Sequence, residues 1–301
     1  MPKLLAPLEE SEFLLWQRLI EEKTGLWLPK ARLSFVQAQL SSRVLALGLR
    51  DYRAYYDALA NERLPKEEWA TLVDKLTVHE TRFFRDPDAM ALVSNYCRTL
   101  IGATLAQRKG LRSSAARQIL ADKPCHPLMF QLWSVGCSTG EEVYSLAMTL
   151  DTLAKNSDVP LHYGVTGSDI SLPSIRQARE GCYTESAVRE LPDAYKEKYF
   201  LRDGLRHWVV SPELKQRVYF THFNLSGIAA SPQSAYNVIY CQNVLIYFKP
   251  ERREQILDEL VKRLVPGGLL VLAPGEAGRW SNADVSRYPH DKCLAYLRKS
   301  G

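Results

Sequence analysis

One stretch, Phe130–Leu150 (FQLWSVGCSTGEEVYSLAMTL), constrains the fold of this chain more than any other. Phe130–Val135 is an apolar run with a β-branched end, and Gly136 and Gly140 bracket a tight loop. Val143, Leu146, Ala147 and Leu150 then recur at i, i+3, i+4 and i+7, the spacing of one helix face. Strand, glycine loop and helix form the opening βα unit of a nucleotide-binding α/β sheet, whose ligands sit beyond the carboxyl ends of the strands. The loop is not a dinucleotide fingerprint, because it reads G-x-x-x-G and is followed by Glu141 and Glu142. A pyrophosphate favours a bare, positive helix N-terminus, and two carboxylates there repel it. An adenosine cofactor without phosphate, carrying ammonium and sulfonium cations, suits them, and S-adenosylmethionine (SAM) is such a molecule. The plainer alternative is a Ser138-x-x-Glu141 capping box with acids in the first helical turn.

The rest of the chain is long enough for more than this one unit: 301 residues exceed an average domain. Residues 1–95 read as helical. Phe13, Trp16, Leu19 and Ile20 form one stripe stopped by Gly25, and Leu33, Val36, Leu40, Val44 and Leu47 form a second closed by Gly48. Asp51–Ala60 is a short third helix, Pro65 opens a fourth, and Asp86-Pro87 caps and starts a fifth. Residues 96–128 read as a basic linker, with Arg98, Arg108, Lys109, Arg112, Arg117 and Lys123 against Asp122 alone. Such a run meets nucleic acid or an acidic partner, or is a solvated helix. No run approaches the roughly 18–20 apolar residues of a membrane span. The N-terminus has no signal-peptide core, and the six cysteines show no metal spacing. A cytoplasmic protein without a metal site is the expectation.

From residue 129 to 301 the pattern is α/β. Leu161–Gly167 is a second strand ending at Ser168-Asp169, where an acid either bonds a ribose diol or caps the next helix. Residues 182–221 interrupt the alternation with short strand-like runs, His207-Trp-Val-Val and Arg217-Val-Tyr-Phe, and read as a small antiparallel β insert, after which Val218–Leu225 returns to the sheet. Asn237-Val-Ile-Tyr is the fourth main strand, Cys241–Phe248 the loop after it, and Pro250 starts an amphipathic helix that ends before a Pro266-Gly267-Gly268 turn and another strand. Before the sheet, Thr77–Pro87 is dense in polar and aromatic groups. Phe83 and Phe84 either build an adenosine or acceptor pocket with Arg85, or form a buried pair beside an Arg85 ion pair to Asp86 or Asp88.

Five motifs in order, HETRFFRDP at 79–87, WSVGCSTGEEVYSLAM at 133–148, GSDIS at 167–171, FNL at 223–225 and CQNVLIYF at 241–248, give the chain its resemblance to the CheR family of chemotaxis receptor glutamate methyltransferases. The resemblance implies an N-terminal helical domain, a Rossmann-like SAM-dependent methyltransferase sheet and a small β insert. It implies SAM as cofactor, with S-adenosyl-L-homocysteine as product, and cofactor contacts at His79, Thr81, Arg85, Glu141, Asp169, Asn224, Leu225, Gln242 and Asn243. It places Arg85 and Tyr247 beside the transferring methyl group as catalytic residues. The implied partner of this monomer is the cytoplasmic domain of a methyl-accepting chemoreceptor, flagellar or pilus-linked (PilK-like), with no nucleic acid and no membrane insertion.

The chain departs from the family where His79 replaces Asn, where Gln242 replaces Arg, and where Pro274-Gly275-Glu276-Ala277 stands in place of G-H-S-E. The second helix, often arginine-rich in the family and used to hold an acidic receptor helix, keeps Arg43 as its clear basic residue. Two other classes are weighed. A nucleic-acid methyltransferase acting on base amino groups commonly carries an acid or Asn followed by Pro-Pro and an aromatic after the fourth strand, which Cys241-Gln-Asn-Val lacks. A SAM-binding regulator with little catalysis is the other.

Overall fold

The computed structural model describes residues 5–111 and 127–300. Residues 112–126, which hold Arg112, Arg117 and Lys123 of the expected basic linker, lie outside the described residues, and the linker's first part, 96–111, is helical rather than a linker. Helix α1 (Glu10–Thr24) buries Phe13, Trp16, Leu19 and Ile20 and ends at Gly25, φ 77°, whose amide donates to Glu21 O. A 3-10 turn at Lys30–Arg32 leads into α2 (Leu33–Ala46), followed by α3 (Tyr52–Ala60) and α4 (Lys66–Leu76). Asp51 caps α3 by accepting from the Ala54 amide. Trp16 packs on Tyr55 and Tyr56, with ring centroids 5.0 and 5.5 Å apart, and so joins α1 to α3.

Helix α5 (Pro87–Leu111) starts as the sequence indicates, with Asp86 Oδ1 accepting from the Ala89 amide at 2.9 Å. Its place differs from the expectation of a fifth bundle helix. Ala89, Val93, Tyr96 and Cys97 form a helical stripe buried in the same cluster as Phe130, Leu132 and Leu146. The fifth helix therefore packs on the sheet, because its apolar stripe meets the next helix in the chain rather than the N-terminal bundle.

The sheet begins with β1 (Leu128–Val135), α6 (Glu141–Lys155), β2 (Leu161–Asp169) and α7 (Leu172–Glu180). An insert follows: β3 (Cys182–Thr184), the short helices α8 (Glu185–Val188) and α9 (Asp193–Tyr199), β4 (Phe200–Asp203) and β5 (His207–Val210). These three strands form their own antiparallel sheet in the order β3-β5-β4. After α10 (Pro212–Lys215), β6 (Val218–His222) pairs parallel to β2 in the main sheet, as expected for the return of Val218–Leu225 to the sheet, so the insert ends before the residue 221 expected for it. The insert sheet thus closes at Val210, because Val218 and Phe220 pack into the main core.

The remaining elements are β7 (Tyr236–Cys241), α11 (Pro250–Lys262), β8 (Leu264–Leu272), β9 (Val285–Arg287) and β10 (Leu294–Arg298). Pro266-Gly267-Gly268 is an irregularity inside β8 rather than a turn before it. Tyr236 pairs with Leu264 while Val238 pairs with Leu269. The seven-stranded order is β6-β2-β1-β7-β8-β10-β9, with β6 to β8 parallel and β10 antiparallel to both neighbours. The chain reverses direction across the sheet between β1 and β7, the switch point where open α/β sheets bind ligands. Side chains alternate faces along each strand. Val238, Tyr240, Leu269 and Val271 join the core under α5 and α6. Ile239, Cys241, Leu270 and Leu272 join Trp16, Leu40, Leu72 and Leu257 on the other side. The N-terminal helices therefore share a core with the sheet.

Candidate functional site

A cavity of about 240 Å³ opens at the carboxyl ends of β1, β2, β6 and β7, and the segment 77–81 after α4 closes its other side. Two glycine-loop features shape it. Gly136 has φ 71°, and a Cβ there would fall 2.2 Å from Val244 Cγ2, so no side chain fits between the β1 and β7 loops. Ser138 and Asn243, both lining the cavity, hold φ values of 48° and 61°. Non-glycine residues in this region cost of order 1–3 kcal/mol each and cluster at binding sites. The Ser138-x-x-Glu141 capping box does not form. Gly140 is the N-cap of α6 without a side-chain bond, and Thr139 Oγ1 donates to Glu141 Oε2 at 2.7 Å.

Asp169 ends β2 with its carboxylate between two loops: Oδ2 accepts from the Ser138 amide and Oδ1 from the Ser171 amide, both at 2.8 Å. Helix capping falls to Ser171, whose hydroxyl accepts from the Ser174 amide. Each Asp169 oxygen retains a second acceptor site for a ligand hydroxyl. Burial raises the Asp169 pKa, opposed by those two amides and by nearby His79. Of the two acids after Gly140, Glu142 rather than Glu141 lines the cavity. Glu142 Oε1 accepts from Ser134 Oγ at 2.7 Å, and burial pushes its pKa up to about 8, with Arg85 opposing. Glu141 is buried against Thr139 and away from the cavity wall. Successive helical residues lie about 100° apart, so one of two adjacent acids faces the ligand.

The other nine expected site residues line the cavity together. Three of them, His79, Gln242 and Asn224, spend their side-chain polar atoms within the protein. His79 Nε2 lies 2.8 Å from Asp74 O and 3.0 Å from Thr77 Oγ1, and its Nδ1 lies 3.1 Å from Ser174 Oγ. Its ring therefore ties α4 to α7. Gln242 Nε2 donates to Asp86 Oδ2 at 3.1 Å and its Oε1 accepts from Tyr240 OH at 2.9 Å. Asn224 Oδ1 accepts from the Ser226 amide, while Thr81, Leu225 and Asn243 complete the wall. Arg85 makes no ion pair with Asp86 or Asp88. Its Nη1 donates to Glu80 O at 2.6 Å, and Asp88 pairs with Lys292. Tyr247 sits at the mouth under the Arg32 guanidinium, 5.3 Å from its ring centroid.

Phe83 and Phe84 do not line the cavity. Phe83 packs against Tyr183 and Phe200, and Phe84 against Tyr195, so the buried-pair alternative holds for the rings. Arg43 is also occupied: its Nε and Nη2 donate to Glu68 at 2.9 and 2.6 Å, with the Arg43 side chain 16% exposed. It therefore has no free face for an acidic helix. Sequence reasoning missed Glu276, whose Oε1 accepts from the Val244 and Leu245 amides at 2.8 and 2.9 Å and whose Oε2 accepts from Ala273. That carboxylate fixes the loop bearing Asn243 and Tyr247.

Compared with known proteins, residues 79–288 match the SAM binding domain of CheR methyltransferase and residues 11–77 match its all-alpha domain. The chemotaxis protein methyltransferase of Escherichia coli (strain K12) is 29% identical over 275 residues, 89% of this chain and 85% of that protein. That of Salmonella typhimurium is 30% identical, covering 86% of this chain and 81% of its own. The probable biofilm formation methyltransferase WspC of Pseudomonas putida is 28% identical across 94% of this chain and 61% of that protein. The cavity fits SAM on its own chemistry. The carboxylates of Glu80, Glu142 and Asp169 on the wall suit a cationic cofactor, and the Ser138 hydroxyl is buried without a partner among the described residues.

Proposed function

Because this chain belongs to the CheR methyltransferase family and takes S-adenosylmethionine as cofactor, we propose that it methylates glutamate side chains on the cytoplasmic domain of a chemoreceptor. The observation that carries this reading is the similarity to chemotaxis protein methyltransferases over 86–89% of this chain, joined to a cavity where Asp169, Glu142, Arg85 and Tyr247 converge. The bound cofactor supplies a methyl group activated by a sulfonium. Asp169 accepts the ribose hydroxyls, and Glu142 compensates the cationic end. Arg85 donates from Nη1 to Glu80 O and has its Nη2 4.0 Å from the exposed Glu80 carboxylate, a loose pair that an incoming carboxylate can displace to be aligned by the guanidinium. Tyr247 steadies the methyl end through its hydroxyl and ring face.

A glutamate acceptor needs no general base, since its unperturbed pKa of about 4.3 leaves it ionised at neutral pH. Its charge is neutralised as it meets a sulfonium, so a dry pocket lowers the barrier when binding offsets the desolvation. Val78 and Ile246, 48% and 52% exposed, give the mouth apolar lips that exclude water once an acceptor helix lies across them. In-line positioning then supplies several kcal/mol. No helix among the described residues is long and apolar enough to cross a membrane. Titration with S-adenosyl-L-homocysteine beside a methyl-transfer assay on receptor cytoplasmic domains tests the proposal. Binding together with turnover supports an enzyme, whereas tight binding without transfer to any receptor domain would favour a regulator.

A further inference from the structure

Ser138 carries two local costs that the protein itself leaves without compensation. Its backbone sits at φ 48°, a region that disfavours a residue with a Cβ. Its side-chain hydroxyl is buried and has no hydrogen-bond partner among the described residues, and the residue is only 7% exposed. Buried hydroxyls are ordinarily paired, and an unpaired one loses its hydration for nothing. Both costs fall on a residue that lines the cofactor cavity. The Ser138 amide, one bond from the same Cα, donates to Asp169 Oδ2 at 2.8 Å.

We propose that Ser138 Oγ is a cofactor-binding group that donates to a ribose hydroxyl oxygen of SAM, the other half of a diol site whose acceptor is Asp169. The proposal rests on SAM as the cofactor. The hydrogen-bond count is consistent. The vicinal diol donates two protons, and Asp169 has one free acceptor site on each oxygen after its amide bonds to Ser138 and Ser171. Each ribose oxygen still accepts, and the Ser138 hydroxyl supplies that donor. One loop residue then recognises the diol twice, by orienting Asp169 through its amide and by bonding the sugar through its side chain.

The test is a calorimetric titration of wild type, Ser138→Ala and Ser138→Gly with S-adenosyl-L-homocysteine and with its 2′-deoxy and 3′-deoxy ribose analogues, alongside thermal unfolding without ligand. The proposal expects both variants to bind the intact ligand about 3–10-fold more weakly, the range of a single neutral hydrogen bond. It expects one deoxy analogue to bind wild type and Ser138→Ala equally, since the shared contact is already gone. It also expects unliganded Ser138→Ala to be at least as stable as wild type, and Ser138→Gly more so. Unchanged affinity in both variants would overturn the proposal, as would an equal loss with all three ligands. A fall in unliganded stability of both variants would assign the hydroxyl a structural role instead. Failure of wild type to bind the intact ligand would overturn the cofactor assignment with it.

Discussion

At the scale of single residues, the site divides its acids by task. Asp169→Ala should weaken SAM binding by about 1–3 kcal/mol through lost charge-assisted bonds, and unchanged affinity in a titration would remove Asp169 from the site. Glu142 makes a pH prediction. Its pKa in the folded protein, raised to about 8 by burial, lies above that of an exposed glutamate. Between those values the folded state holds the proton and the unfolded state does not, so its contribution to stability falls as pH rises. A cationic cofactor favours the ionised form, so binding below about pH 8 should release a proton and affinity should climb toward that pH. Calorimetry in buffers of different ionisation enthalpy should find this release diminished in Glu142→Gln, and equal release in both proteins would contradict the role. Arg85→Ala should lower kcat/KM for the receptor roughly 10²-fold, about 2.7 kcal/mol, with a smaller effect on SAM affinity. Tyr247→Phe isolates the hydroxyl, and near-wild-type turnover in both folded variants would move the chemistry elsewhere. Asp169 was legible in the sequence because a strand end fixes it beside the glycine loop. The choice between Glu141 and Glu142 was not, since it depends on helix phase. Glu276 was not legible either, because its partners Val244 and Leu245 lie some thirty residues earlier in the chain.

At the scale of elements, periodicity located most helices and strands but not all their partners. The stripe on α5 is the same stripe whether it meets a bundle or a sheet, and only the packed structure tells them apart. The insert shows the same limit. Of its three strands only β5 was legible, from His207-Trp-Val-Val after the Asp203-Gly204 turn, and the bond of the insert to the site was not. Tyr183 OH donates to Thr139 O in the glycine loop at 2.7 Å, and Tyr183, Phe200 and Val210 lie in the main core. Deleting the insert would therefore disturb the cofactor loop as well as any docking surface. The edge strand β4 offers a cleaner test. Leu201 is 56% exposed on that edge, and an open edge accepts an extended peptide as an added strand. Leu201→Asp should lower methylation of a receptor bearing such a peptide while leaving S-adenosyl-L-homocysteine affinity unchanged. Equal methylation by both proteins would place docking elsewhere.

At the scale of the whole molecule, the loops that follow α1 and α4 of the N-terminal half, at Leu26 and Thr77–Thr81, form one wall of the site. The Trp27 amide donates to Tyr247 O at 2.7 Å, and Lys249 reaches Glu21 at 2.6 Å. A Cβ on Gly25 would come within 2.9 Å of Ser226 Cβ, so the end of α1 lies directly against the methyltransferase half. The cavity thus sits between the helical half and the sheet, with Tyr247 under the Arg32 guanidinium at its edge. The central claim, methyl transfer to a carboxylate, is tested most directly by the chemistry of the product. Receptor cytoplasmic domains incubated with this protein and methyl-labelled SAM should take up label that mild base releases as methanol, and the labelled positions should map to glutamates. Label that survives base, or that appears on nucleic acid and not on any receptor domain, would contradict the account.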